Sequence, residues 1–262
     1  MIRAPLALLA GLLALVLAQA TARAELRGHG GPVRALALSA DGASAVSGGF
    51  DNSVIRWDLR ADAARDVIRF HDGPVNAVAL LPGGRAASGG EDTRIAIWGA
   101  SPDTPERVLA GHEAKVSALA ALPDGRLASA SWDGTVRLWT LADGTSSVLA
   151  SHRGAVNALA VAPDGSFVVS AGADLVVKIT PLGPGQPVEI GFAVPDNALG
   201  VAPDGEIVAA SADGTLRFLS ADTEIARAMV TTPGVPADRL AALRKAFDEA
   251  IKLPALVEEA GK

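Results

Sequence analysis

The stretch Ser129-Ala130-Ser131-Trp132-Asp133-Gly134-Thr135-Val136-Arg137-Leu138-Trp139 decides the fold. It is a tight Asp-Gly turn between two apolar runs, and it recurs. Phe50-Asp51-Asn52-Ser53-Val54-Ile55-Arg56-Trp57 and Glu91-Asp92-Thr93-Arg94-Ile95-Ala96-Ile97-Trp98 keep the same order of turn, alternating run and closing tryptophan. Looser copies are Ala173-Asp174-Leu175-Val176-Val177-Lys178-Ile179-Thr180 and Ala212-Asp213-Gly214-Thr215-Leu216-Arg217-Phe218-Leu219. The turn aspartates stand at 51, 92, 133, 174 and 213, spaced 41 residues apart and finally 39. A fixed period of this length marks a repeat architecture, in which a unit hides its apolar faces only by stacking on its neighbours.

Each unit reads as four short strands. In the first, Val33 to Ser39 is strand a and Ala40-Asp41-Gly42 a turn. Ala43 to Ser47 is strand b, Gly48 to Asn52 the tight turn, Ser53 to Leu59 strand c and Arg65 to Phe70 strand d. The a–b turn recurs as Pro82-Gly83-Gly84, Pro123-Asp124-Gly125, Pro163-Asp164-Gly165 and Pro203-Asp204-Gly205. Proline presets one turn angle and glycine supplies the other. Short strands with a turn signal roughly every 8–12 residues predict an all-β chain.

A histidine precedes each strand a: His29, His71, His112 and His152, with Phe192 in the fifth unit. Three units therefore repeat a set of four: His29, Ser47, Asp51, Trp57; His71, Ser88, Asp92, Trp98; His112, Ser129, Asp133, Trp139. The fourth keeps His152, Ser170 and Asp174 with Thr180 for tryptophan; the fifth keeps Asp213 alone.

On these residues the chain resembles the WD40 repeat family of β-propellers, which carry Gly-His near each repeat start and Trp-Asp at its end. Gly28-His29, Gly111-His112 and Trp57-Asp58 are the literal matches, and the resemblance spans about residues 25–230. It implies an all-β WD40-type propeller with five recognisable blades, at roughly 29–70, 71–110, 111–150, 151–191 and 192–230. Since such propellers most often have seven blades, the ring either closes with five or is incomplete. The resemblance also implies that an N-terminal strand clasps the last blade. Glu25-Leu26-Arg27 is one candidate for that outer strand and Glu224 to Val230 the other; the two compete for one edge.

The N-terminus reads as an export signal. Arg3 supplies the early charge, Leu6 to Ala18 an apolar run, and Ala18-Gln19-Ala20 and Ala22-Arg23-Ala24 small residues for cleavage. The run falls short of the roughly 20 residues that span a bilayer. Residues 1–24 are thus expected to be a signal peptide and the protein exported, periplasmic in a Gram-negative bacterium. The chain has no cysteine, so neither disulfides nor covalent haem attachment can occur. After the repeats, Thr231 to Pro236 reads as a linker and Ala237 to Ile251 as a helix. Leu240, Leu243, Phe247 and Ile251 form its apolar stripe, and 231–262 is the expected tail. Thr232 to Asp238 weakly resembles the C-terminus of tripartite tricarboxylate transporter solute-binding proteins.

Histidine, serine and aspartate in every unit invite a catalytic triad. A nucleophile site is made once, however, and this set recurs every 41 residues. The better reading is a structural network in which histidine bonds the turn aspartate and the serine, and tryptophan donates its indole N–H. One histidine per blade cannot converge on one metal ion, and neither phosphate-binding glycine motif is present. No catalytic residue, metal ligand or cofactor is expected. The net charge of −6 argues against a nucleic-acid partner.

What remains is surface. In the family the d–a loops and b–c turns lie on one face around the channel mouth. Positions expected there are Phe50, Glu91 and Trp132 before the turn aspartates, and Arg34, Asn76, Ser117, Asn157 and Asn197 early in strand a. Exposed aromatics near arginine are typical anchors of protein contacts. The expected function is a non-catalytic protein-interaction scaffold of the cell envelope, with a protein or peptide partner and self-association if the ring is open. One alternative is an accessory or relic subunit of a periplasmic c-type cytochrome system, from similarity to the propeller part of exported WD40–cytochrome c proteins. Another is a truncated propeller with no independent function.

Overall fold

The computed structural model describes residues 25–220 and the backbone of 229–231. The expected signal peptide, the helix over Ala237–Ile251 and the rest of the tail lie outside the described residues. Five four-stranded antiparallel sheets follow one another along the chain, each in simple meander order. Blade 1 holds β1 (Val33–Leu38), β2 (Ser44–Gly49), β3 (Ser53–Asp58) and β4 (Ala63–Arg69). Blade 2 holds β5 (Val75–Leu81), β6 (Arg85–Gly90), β7 (Ile95–Trp98) and β8 (Arg107–Leu109), with a short 3-10 turn at Pro82–Gly84. Blade 3 is β9 (Val116–Ala121), β10 (Leu127–Ser131), β11 (Thr135–Trp139) and β12 (Ser146–Ser151). Blade 4 is β13 (Val156–Val161), β14 (Phe167–Gly172), β15 (Val176–Pro181) and β16 (Val188–Gly191). Blade 5 is β17 (Asp196–Val201), β18 (Ile207–Ser211), β19 (Leu216–Leu219) and β20 (Met229–Thr231).

The core lies between blades rather than within them. A two-residue alternation gives each sheet two apolar faces, and neither can be buried without a neighbour. The front face, on the tryptophan side, meets the blade before; the back face meets the blade after. Val46, Val54 and Ile68 of blade 1 pack on Val75, Val78 and Trp98 of blade 2. Ala87, Ile95 and Ile97 of blade 2 pack on Val116, Leu127 and Trp139 of blade 3. Further layers join blade 3 to blade 4 around Val136, Val156 and Val168, and blade 4 to blade 5 around Val169, Ile179 and Ile207. Small residues in the b strands let the sheets close up. A Cβ on Gly48 would stand 2.6 Å from Val75 Cγ1, and one on Gly89 would stand 2.5 Å from Val116 Cγ1.

Polar ties reinforce these layers. Arg56 is buried in blade 1 and donates to the Gly99 carbonyl of blade 2, while its Nε lies 2.8 Å from Asp66 Oδ2. The Ser117 hydroxyl of blade 3 donates to the Val156 carbonyl of blade 4 at 2.5 Å.

The contest for the last outer edge is decided by pairing. β20 pairs with β19, Leu216 opposite Thr231, and so holds the outer edge of blade 5. Glu25-Leu26-Arg27 forms no strand. Leu26 instead packs on Ala45, Ile55 and Trp57 of blade 1. Gly28 eases this: a Cβ there would sit 2.9 Å from both Ile55 Cδ1 and the Trp57 ring, so a larger residue would have to push these side chains aside. Of the two candidates, 25–27 is therefore not the outer strand; the other, Glu224 to Val230, is described only from Met229 on, where it pairs. The reason is local: apolar surface on blade 1 has no preceding blade to cover it.

Candidate functional site: the channel mouth

The recurring four-residue set is a directed chain of hydrogen bonds. In blade 2, His71 Nδ1–H donates to Asp92 at 2.9 Å, the Ser88 hydroxyl donates to His71 Nε2 at 2.8 Å, and Trp98 Nε1–H donates to Ser88 Oγ at 2.9 Å. The neutral Nδ1–H form of histidine satisfies every donor and acceptor in it. Blade 1 repeats the chain through His29, Asp51, Ser47 and Trp57, at 2.9, 2.7 and 2.8 Å. Blade 3 repeats it through His112, Asp133, Ser129 and Trp139, at 2.7 Å throughout. Blade 4 has the first two links, from His152 to Asp174 and Ser170, both at 2.9 Å.

Four of the turn aspartates also accept a backbone N–H from the d–a loop: Gly30 to Asp51 at 2.7 Å, Asp72 to Asp92 at 3.2 Å, Glu113 to Asp133 at 3.0 Å and Arg153 to Asp174 at 2.9 Å. The aspartate therefore pins a loop and a turn together on one face of the molecule. Burial pushes the Asp133 carboxyl up, but bonds from Thr135, His112 and the Thr135 and Glu113 backbone outweigh it and bring it to about 2. Burial holds His71 and His112 below their ordinary value, against the pull of Asp92 and Asp133. The network fixes the loops around the mouth and is spent on doing so.

The mouth itself is made by β-bulges. Every inner strand slips register at its second residue, between Val33 and Ala35, Val75 and Ala77, Val156 and Ala158, and Asp196 and Ala198; β9 does the same opposite Ala130 and Ser131. The bulged residues are Arg34, Asn76, Ser117, Asn157 and Asn197. A bulge leaves one residue outside the ladder and re-aims its side chain. All five line one cavity of about 510 Å³, together with Lys115 and Trp132. The residues come from all five blades, so the inner strands curve around a common axis.

Trp132 is 50% exposed, and its ring lies 3.4 Å from Lys115 Nζ, a cation–π contact. Lys115 reaches back to Glu91 of blade 2 at 3.8 Å. Glu91 thus bears on the mouth through Lys115. Phe50 is 49% exposed but does not line the cavity; it stands on the rim beside Gly31. Lys115, which precedes the inner strand by one residue, was not singled out by the repeat pattern, because that position carries no fixed residue type. Its signal was the neighbouring Trp132, whose ring needs a cover.

The lining is amides, a hydroxyl, two cations and one indole. Ser117 is bonded to a carbonyl and has no histidine beside it; the four histidines are bonded within their own blades. Among the described residues, no three histidine or acidic side chains gather as a metal set. The arrangement can hold a polar, hydrogen-bonding segment and can stack on it.

Fold and mouth together define a stacked-blade propeller whose loops are braced around a polar channel opening. The family model described as WD domain, G-beta repeat matches four times, over residues 21–58, 65–99, 103–140 and 145–180, more than half of the chain. The chain belongs to the WD40 repeat family. Blade 5 lies beyond the matched residues, consistent with its Phe192, Ala209 and Leu219 in the histidine, serine and tryptophan places. No curated protein matches this chain. WD40 domains generally mediate protein–protein interaction.

Proposed function

We propose that this protein is a non-catalytic scaffold that seats a protein or peptide partner on the channel mouth. The single observation that carries this reading is the convergence of five bulged side chains, one per blade, on one cavity beside a half-exposed tryptophan. The volume falls in the range of about 300–1,000 Å³ typical of ligand clefts. Its polar lining suits a loop tip or extended peptide better than an apolar small molecule. Because the aspartates brace the loops beforehand, little ordering entropy is lost on docking. A pull-down from cells that make the protein tests the reading, with wild type compared against Trp132→Ala and Asn157→Ala. A partner retained by wild type and lost by both variants supports it; a partner set unchanged in both overturns it.

The cell envelope is the proposed location, from the Arg3, Leu6–Ala18 and Ala22-Arg23-Ala24 pattern. Fractionation with N-terminal sequencing tests it. A periplasmic chain shortened by some 20–24 residues supports export; an intact cytosolic chain overturns it.

A further inference from the structure

The five blades present two end faces, the front of blade 1 and the back of blade 5. Val75, Val116 and Val156 hold the same register in three successive inner strands, and each is fully buried against the blade before it. Val33, the same residue at the same register of blade 1, is 56% exposed. Leu36 is 64% exposed where its counterpart Val78 is 7% exposed, and Leu38 is 61% exposed. The inner-strand part of the front of blade 1 is therefore an uncovered apolar face among the described residues, beside the part that Leu26 covers. At the other end, Leu216 is 47% exposed where its counterparts Ile95 and Val136 are fully buried. Ala198 and Gly200 beside it are exposed too. Ala210 holds the place of Gly48 and Gly89, the small residues on which Val75 and Val116 seat.

We propose that these end faces join between copies of the chain, with the front of blade 1 of one copy on the back of blade 5 of another. The argument is continuity. The chain already makes this contact four times internally, three times with a valine and its neighbours on a small residue and an apolar c strand, and once, between blades 4 and 5, with Asp196 in the valine's place. Both missing halves are present on the same molecule, so a second copy offers the required partner surface. The contact is heterologous, back to front, and leaves each copy with one uncovered end.

The test is the mass of the full chain by light scattering over a wide concentration range, for wild type, a front variant (Leu36→Glu with Leu38→Glu) and a back variant (Leu216→Glu). All three positions are exposed, and circular dichroism checks that each variant folds. Wild type is expected to grow beyond one chain as concentration rises. Each variant alone is expected to stay a single chain. The two variants mixed are expected to form a one-to-one dimer and nothing larger, since only one good front and one good back remain. The chain has no cysteine, so Val33→Cys and Ala210→Cys in separate copies give a clean second readout, an intermolecular disulfide on oxidation. A wild type that remains one chain at every concentration overturns the proposal and means that the chain covers its own ends. Association of the back variant alone overturns it in favour of front-to-front pairing, and a mixture that stays monomeric overturns it as well.

Discussion

Arg217 Nη1 lies 2.6 Å from Asp196 Oδ1, and this pair does in blade 5 what histidine does in blades 1 to 4. Arg217 also reaches the turn aspartate, Asp213, at 2.9 Å, and its guanidinium covers the Phe192 ring at 4.6 Å. Ser211 adds a hydroxyl bond to Asp196. Blade 5 has lost the histidine, serine and tryptophan, yet its turn is still tied to its inner strand. The tie is now an ion pair, with both residues buried.

A buried charge left without its partner is far more costly than the intact pair is stabilising. Arg217→Met is expected to destabilise the protein by about 3–5 kcal/mol, seen as an early step in chemical denaturation confined to blade 5. Adding Asp196→Val, the residue of the other four blades at that register, is expected to recover most of the loss. A double variant no better than Arg217→Met would show that the pair is not the cause.

Ser88 stands between two buried partners, accepting from Trp98 and donating to His71. Ser88→Ala leaves the Trp98 indole N–H and His71 Nε2 without that partner, which costs about 1–3 kcal/mol. Ser129→Ala in blade 3 is expected to cost a similar amount, and Ser170→Ala in blade 4 less, since Thr180 stands where the indole donor would be. Urea midpoints for the three variants check the order.

The same network sets a pH dependence. His71 and His112 have folded pKa values below their ordinary 6.5, chiefly from burial. Their neutral forms contribute stability that is present above pH 6.5 and is lost as pH falls below it, because the unfolded chain takes up the protons first. A proton on Nε2 would also oblige the serine hydroxyl to turn its hydrogen away and accept there instead of donating. Asp133, held at about 2 against 3.8, adds a second loss as pH falls from 3.8 toward 2. The melting temperature is expected to fall from pH 7.5 to 5.5 and again below pH 4. His71→Gln with His112→Gln is expected to flatten the upper step only.

How much of this was legible in the sequence follows from what repeats and what does not. The turn aspartates at one period gave the four strands per blade and the location of each b–c turn. The valines of β5, β9 and β13 read simply as strand residues, and their seating on Gly48 and Gly89 needed the blades to be stacked. The mouth was half legible. Arg34, Asn76, Ser117, Asn157 and Asn197 share a register, but the reason they turn inward is a bulge, and a bulge has no side-chain signature here. Asp196 and Arg217 were invisible because they depart from the repeat: an aspartate in a valine position looks like decay until its partner is placed beside it. Leu26 misled for a physical reason, since an apolar residue before the first repeat serves equally as an edge strand or as a cover.

Trp132 separates binding from folding. Its ring is half exposed and contacts Lys115 rather than a core layer. Trp132→Ala is expected to change stability by no more than about 0.5–1 kcal/mol while weakening partner binding by roughly tenfold or more, the effect of a buried aromatic anchor. Calorimetry and a binding titration on the same sample check both halves.

The most direct measurement of the central idea, that the mouth is where a partner lands, is site-specific photo-crosslinking in the producing cell. A photoreactive side chain at Asn76 probes the mouth; one at Val108, an exposed outer-strand residue of the same blade, probes the rim. The account predicts a discrete adduct from position 76 that disappears when Trp132→Ala is added, and none of that size from position 108. Equal adducts from both positions, or an adduct from 108 alone, would contradict it.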